Sequence, residues 1–322
     1  MKYRNVVIAG GGILGSQIAF QTAYSGFNTT ILVRPEDDKK AVQTKINNLK
    51  KTYQSAIRTM STKRGKTDEK WCRGIADKND FRKKECLKKL ANIDIKIIDS
   101  QEDALKDADL VIESITENID IKNSFYDQIA PLLPEKTVIV TNSSTLLPSK
   151  MAKHTKRPDK YLAMHFANAI WKNNIAEVMA QSETDPKYFN EIIKFAEAIH
   201  MIPLAAREEK SGYLLNSMLV PFLLSAMDLL ANGISDAETI DKAWTLGTGA
   251  PNGPFQILDV VGLETAKNIV LQYQKVPNIF DPLLKKMMLP YNFDGMLDIL
   301  NNYLALGKSG KQSGEGFYKY DK

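Results

Sequence analysis

Residues 5–33 read NVVIAGGGILGSQIAFQTAYSGFNTTILV. Asn5 to Ala9 is a short apolar run of strand type, and a glycine turn, GGGILG, follows it. A helical pattern occupies Ser16 to Tyr24, Gly26 ends it, and Thr29 to Val33 reads as a second strand. Strand, glycine turn, helix and strand in one short span make a parallel βαβ unit. Gly10, Gly12 and Gly15 stand in the GxGxxG spacing. The first allows a tight turn, the second lets the backbone approach a pyrophosphate, and the third allows close packing of helix on strand. Phosphates placed there meet unpaired N–H groups at the positive end of the helix. Ile13 and Leu14, inside the same turn, complete the set of dinucleotide-binding candidates.

The alternation continues outward. Ile93 to Ile98, Asp109 to Ile115, Thr137 to Thr141, Tyr161 to Phe166, Ile175 to Ala180 and Ile202 to Ala206 read as strands. Helical segments separate most of them, including one over 186–200. From Ser211 onward the period is helical, with helices expected at 213–231, 236–246, 255–273 and 294–304. The expected fold is therefore α/β: a Rossmann-type doubly wound sheet domain over 1–207, then an all-α domain over 208–322. Pro221 is expected to kink its helix or to sit where no backbone donor is needed.

Composition narrows the function classes. The chain has 322 residues, 43% hydrophobic and 25% charged, the balance of a globular protein and not of a disordered one. Residues 41–90 hold 15 Lys and Arg against 5 Asp and Glu, a local +10. That leaves 28 against 33, or −5, for the other 272 residues, within a total of +5. The basic segment reads as helical insertion material between the second and third strands. It lacks the aromatic interleaving of a single-strand nucleic-acid binder beyond Tyr53, Trp71 and Phe81. The two cysteines, Cys72 and Cys86, form no disulfide framework, which fits a reducing, cytoplasmic setting. The apolar run 213–230 is interrupted by Asn216, Ser217, Pro221 and Asp228, so a buried helix is expected and not a membrane span. No metal site is expected, because neither HxxxH nor CxxC occurs. GKSGK near 307–311 is not a nucleotide-triphosphate loop, since Asn302 and Ala305 stand where its first glycine is needed.

Arg34, followed by Pro35 and Glu36, ends the second strand, where NAD-binding proteins usually place an acid for the ribose hydroxyls. A guanidinium cannot accept a hydroxyl proton but pairs well with a 2′-phosphate. Two readings stand: Arg34 selects NADP(H), or Arg34 is a solvated surface residue and Glu36 serves the ribose.

Of three histidines, His165 ends an apolar strand, so it emerges where doubly wound sheets bind ligands. Glu177 lies on the next strand among Ala, Val and Met. A buried carboxylate is costly unless paired, and pairing with His165 makes a general acid–base dyad. The plainer reading keeps His165 as a satisfied core residue and Glu177 as a helix-cap partner.

At this point several ordered motifs carry a family resemblance. VVIAGGGILGSQIAF, TNSSTL at 141–146, MHFAN at 164–168, AEVM at 176–179, SGYLLNSMLVPF at 211–222, GAPNGPFQILDVVGL and GEGFYKY resemble those of the short-chain L-3-hydroxyacyl-CoA dehydrogenase family. The resemblance covers essentially the whole chain. It implies interconversion of 3-hydroxyacyl-CoA and 3-ketoacyl-CoA with a nicotinamide cofactor, NAD(H) by family habit. It further implies His165 as the base, Glu177 as its orienting partner, and Ser144 and Asn216 as hydrogen-bond donors to the reacting oxygen. Glu117, Lys122 and Asn168 would help hold the cofactor. Lys63, Arg64 and Lys66 would be candidates for CoA phosphates, and the helical domain would form a homodimer. HFANAIWKNN departs from the family's HFFNPVPVMK and, with TNSSTLLPS, is similar to a branch that includes bacterial diketoreductase. That branch raises reduction of β-keto compounds lacking CoA, or oxidation of free 3-hydroxy acids, as an alternative. A non-catalytic dinucleotide-binding redox sensor is the contrasting reading from another class, and the retained Ser144, His165, Glu177 and Asn216 argue against it.

Overall fold

The computed structural model describes residues 3–67, 70–274 and 291–320. The chain divides into two compact units, Met1–Leu214 and Leu215–Lys322. The first unit is built on one eight-stranded sheet. Its strands are β1 (Asn5–Ala9), β2 (Asn28–Leu32), β3 (Ile95–Ile98), β4 (Leu110–Glu113), β5 (Val138–Thr141), β6 (Tyr161–Phe166), β7 (Ile175–Met179) and β8 (Ile202–Ala206). Their spatial order is β3-β2-β1-β4-β5-β6-β7-β8. All neighbours are parallel except β6 and β7, which run antiparallel. The order reverses at β1, and the crevice at such a point is where this class of sheet binds its ligand.

The helices of this unit are α1 (Ile13–Tyr24), α2 (Lys39–Met60), α3 (Lys83–Ala91), α4 (Gln101–Leu105), α5 (Ile119–Ile129) and α6 (Pro186–Ala198). Strand alternation divides the core between two faces. Val6 and Ile8 of β1 join one cluster with Phe20, Tyr53 and Phe195, while Val7 joins the opposite one with Leu105, Tyr126 and Ile129. The basic insertion is part of the first cluster. Along α2, Val42, Ile46, Leu49, Tyr53, Ile57 and Met60 are buried at helical spacing. Tyr53 packs on Phe20 with ring centroids 4.7 Å apart and donates its hydroxyl to Gln21. Gln21 in turn donates to the carbonyls of Gly74 and Ile199, both at 2.8 Å.

The second unit holds α7 (Leu215–Ala231), α8 (Ala237–Thr248), α9 (Pro254–Val261), α10 (Leu263–Gln274) and α11 (Phe293–Ala305) around Leu224, Met227, Phe255, Leu258, Met296 and Leu300. The single helix expected over 255–273 is in fact two. Gly262 takes φ +95°, and the Leu263 N–H leaves the helical ladder to bond Ser309 O at 3.0 Å. The apolar period runs through this break, so periodicity alone does not show it. Pro221 lies inside α7. Asp259, fully buried, accepts the Phe317 and Tyr318 N–H groups at 2.8 and 2.9 Å and so pins the C-terminal turn. Among the described residues, no helix is long and apolar enough to cross a membrane.

Candidate active site

Backbone geometry shows why glycines occupy two of the three positions and leaves the third open. Gly10 has φ +113°, and a Cβ there would lie 2.4 Å from Ser114 O. A Cβ on Gly15 would lie 2.2 Å from Gly10 O, whereas one on Gly12 would meet nothing within 4 Å. Gly12 caps α1 without a side-chain hydrogen bond, so the first N–H groups of the helix are open to a ligand. Ile13 and Leu14 form that first turn, with Ile13 exposed. A cleft of about 890 Å³ opens here, lined by Gly10, Gly12, the Leu32–Asp38 stretch, Lys45 and Ser114 among others. Arg34 lines it, but its guanidinium is turned onto Asp37 at 2.7 Å and Glu36 at 3.2 Å.

A second constellation stands at the ends of β5, β6 and β7. His165 and Glu177 face each other in the antiparallel register. Directly opposed residues of such strands share one face of the sheet. The His165 Nδ1 lies 3.0 Å from Glu177 Oε2, and both side chains are buried. With Nδ1–H donated to the carboxylate, Nε2 is left as acceptor. Ser144 Oγ sits 3.2 Å from Nε2. The other Glu177 oxygen accepts the Leu214 N–H at 2.9 Å, just ahead of α7. The carboxylate thus serves the imidazole and the Leu214 backbone at once.

Tyr213 was not anticipated. Its ring stacks on His165 with centroids 4.8 Å apart and planes inclined 17°, and its hydroxyl donates to Ser143 O at 2.8 Å. It adopts φ +50°, an uncommon conformation for a bulky residue. Burial, followed by the charges of Glu117 and Glu177, pushes its phenol well above the ordinary value, so it remains a neutral donor.

The Ser143–Thr145 turn is held from below. Glu117 Oε1 accepts Ser143 Oγ at 2.7 Å, the Ser144 N–H at 3.0 Å and both the N–H and hydroxyl of Thr145 at 2.9 Å. Burial acts to raise the Glu117 pKa, but these hydrogen bonds and the Lys122 charge outweigh it and hold the carboxyl below its usual range. Lys122 is itself buried. Its ammonium contacts Glu113 and lies 3.6 Å from Glu117 Oε2. Glu113, absent from the sequence reading, is fully buried and also accepts Ile115 N–H, Tyr126 OH and Thr141 Oγ1 at 2.7–2.8 Å. Neither Glu117 nor Lys122 is among the described residues lining the cleft.

The remaining candidates are more scattered. Asn168 is exposed on the loop after β6, and its carbonyl accepts Asn173 Nδ2 at 2.8 Å. Gln17 of α1 steadies this loop by accepting the Ala169 N–H at 2.8 Å. Lys63, Arg64 and Lys66 are exposed on the turn following α2. Asn216 lies on α7 in the second unit. A groove of about 570 Å³ beside α2 is lined by Lys51, Lys70 and Lys172 with Thr52, Ser55 and Thr59. Local patterning could not find this groove, because Lys172 reaches it from the β6–β7 loop. Among the described residues, no cluster of His, Cys, Asp and Glu could hold a metal ion.

Comparison with known proteins places these features in context. The profile of the 3-hydroxyacyl-CoA dehydrogenase NAD binding domain matches residues 5–209, and that of the 3-hydroxyacyl-CoA dehydrogenase C-terminal domain matches 212–320. Human mitochondrial hydroxyacyl-coenzyme A dehydrogenase is 30% identical over 317 residues, 98% of this chain and 91% of that protein. A diketoreductase structure, described for dual catalysis of dicarbonyl compounds, is 40% identical with a TM-score of 0.78, covering 99% of this chain and 100% of that one. The (S)-3-hydroxybutyryl-CoA dehydrogenase of Ralstonia eutropha is 25% identical with a TM-score of 0.73, covering 99% of this chain and 100% of that one.

Proposed function

The chain belongs to the 3-hydroxyacyl-CoA dehydrogenase family of NAD-dependent oxidoreductases, and from that premise we propose that it interconverts 3-hydroxyacyl-CoA and 3-ketoacyl-CoA. The observation that carries the proposal is the Ser144–His165–Glu177 relay, with contacts of 3.2 and 3.0 Å. His165 Nε2 takes the proton of the 3-hydroxyl. Glu177 keeps Nδ1 protonated and favours the imidazolium that results. The Ser144 hydroxyl donates to the reacting oxygen and stabilises charge developing on it, and Asn216 supplies a second donor as in the family. Glu117 and Lys122 act as positioning residues for the serine turn; Asn168 keeps its family role beside the cofactor.

The residues present fit a dinucleotide. Gly10 and Gly15 let the turn close against its own backbone, Gly12 leaves open space for the phosphates, and the uncapped start of α1, with Ile13 and Leu14, supplies N–H donors. When bound, the nicotinamide accepts or delivers the hydride at C3 of the substrate. Arg34 read alone tilts toward NADP(H). Its neutralisation by Asp37 and Glu36, with Asp38, Asp99 and Asp120 lining the same cleft, supports NAD(H) instead.

The lysine groove of Lys51, Lys70 and Lys172 supports a phosphate-bearing substrate, as do Lys63, Arg64 and Lys66. The second reading, reduction of β-keto acids or esters without CoA, is favoured by the β6–β7 loop. Ala169 takes φ +58°, which proline at that position could not. A two-by-two assay decides: NADH and NADPH, each with acetoacetyl-CoA and a β-keto ester. NADH with acetoacetyl-CoA is the expected best pairing. Reversing the charges of Lys63, Arg64 and Lys66 is expected to raise KM for acetoacetyl-CoA about tenfold, the effect of losing a few screened charge contacts. An unchanged KM would remove these three from the substrate site.

We further assign the second unit to homodimer formation. Among the described residues, eight of the twelve exposed large hydrophobic ones lie there, Leu246, Leu306, Ile234 and Met218 the most exposed among them. A dimeric mass by light scattering at micromolar concentration is expected, and a monomeric one contradicts the assignment. The free, buried thiols of Cys72 and Cys86 support a reducing compartment, and we place the protein in the cytoplasm.

A further inference from the structure

Residues 34–37, Arg-Pro-Glu-Asp, close a turn at the end of β2, with the Asp37 N–H donating to Arg34 O at 3.0 Å. Proline at its second position presets the required φ. The turn brings the Asp37 carboxylate back over Arg34. Oδ2 accepts the Arg34 backbone N–H at 2.9 Å and Nε at 3.4 Å, while Oδ1 accepts Nη2 at 2.7 Å. Glu36 Oε1 stands 3.2 Å from Nη1. Every nitrogen of the guanidinium therefore faces a carboxylate supplied within the next three residues. We propose that Asp37, with Glu36, is a built-in anion that occupies the guanidinium a 2′-phosphate would need, and so sets the cofactor preference against the 2′-phosphorylated form. The proposal rests on the nicotinamide reading above.

The physical argument concerns competition and not the strength of the pair. An exposed ion pair contributes little to stability, and Arg34 is 72% exposed. Its tethering is what matters. The carboxylate is delivered by a closed four-residue turn, so its effective concentration at the guanidinium is high. A phosphate that displaced it would leave two carboxylates without their cation and add its own charge beside them. Two neighbouring cations are committed. Lys39 pairs with Asp99 at 2.7 Å, and Lys45 donates to Gly11 O at 2.8 Å, at the glycine turn. Arg34 is thus a latent 2′-phosphate site, and the neighbouring acids decide whether it is available.

Equilibrium titration with ADP-ribose and with 2′-phospho-ADP-ribose tests this without turnover. The quantity read is the ratio of the two affinities. Asp37→Ala is expected to shift it toward the 2′-phosphorylated ligand about tenfold or more, the size of one charge-assisted hydrogen bond. The Arg34→Ala/Asp37→Ala double variant should lose that gain. Arg34→Ala alone should leave the native ratio within about twofold, because the guanidinium is already taken. An unchanged ratio in folded Asp37→Ala overturns the proposal. So does a marked fall in the ratio for Arg34→Ala, an exposed position that decides the matter even if Asp37→Ala does not fold. If no variant binds either ligand, the dinucleotide reading fails and the proposal falls with it; binding with unaltered ratios removes the latch alone.

Discussion

His165→Gln is expected to lower kcat by about 10²–10⁴-fold, the usual contribution of a positioned general base, with little change in KM. Glutamine keeps the length of the side chain and can still hydrogen-bond Ser144, 3.2 Å from the imidazole in the native protein. It cannot take a proton. Glu177→Gln is expected to follow it at about 10²-fold or more, because the amide no longer holds Nδ1–H with a charge or stabilises the imidazolium. The two losses should not add, since both substitutions disable one proton-transfer unit. Steady-state kinetics of the single and double variants with NADH and acetoacetyl-CoA measure this. A His165→Gln variant retaining kcat within tenfold of the native enzyme would remove the imidazole from the proton-transfer role.

The dyad also shows where sequence stops being informative. Strand, glycine turn and helix over residues 5–33 are local events, governed by period and by backbone freedom at Gly10. They read correctly in kind and order, with β1 as placed, α1 opening earlier at Ile13 inside the glycine turn, and β2 starting at Asn28 in place of Thr29. His165 and Glu177 are twelve residues apart, and the penalty for burying a lone carboxylate points to their pairing. What joins them is the antiparallel register of β6 and β7, which no spacing within either strand specifies. Tyr213 and Glu113 are less legible still. Tyr213 looks like one more apolar residue entering a helix, yet its contacts lie with Ser143 and His165, up to 70 residues away in sequence. Glu113 ends an apolar strand as Glu177 lies within one, but its partners Lys122, Tyr126 and Thr141 come from α5 and β5. Similarly, Arg34 carries the same chemistry in isolation whether or not Asp37 folds back on it. Tertiary partners, and not residue types, determine these roles.

Glu113 is the position where a single substitution should cost most stability. Its carboxylate is fully buried, with Lys122 and the Ile115 N–H on one oxygen and the Tyr126 and Thr141 hydroxyls on the other. Removing one member of a buried ion pair leaves the other charge without compensation, a loss of about 3–5 kcal/mol. Glu113→Gln is therefore expected to lower Tm by roughly 10 °C for a unit of this size. Among the described residues, the stranded Lys122 ammonium would retain Glu117, 3.6 Å away in the native structure, as its charged partner. Drawing Glu117 toward it would loosen the Ser143–Thr145 turn that the same carboxylate holds through four hydrogen bonds. Activity measured well below the new Tm should thus fall as well, with kcat affected more than KM. Adding Lys122→Met should restore part of the stability, because it removes the uncompensated charge, but not the activity, because Glu117 then loses its cation. Calorimetry of the single and double variants distinguishes these outcomes. A loss below about 1 kcal/mol in Glu113→Gln would mean that water or local rearrangement reaches Lys122, and that the charge layer beneath the serine turn is not structural.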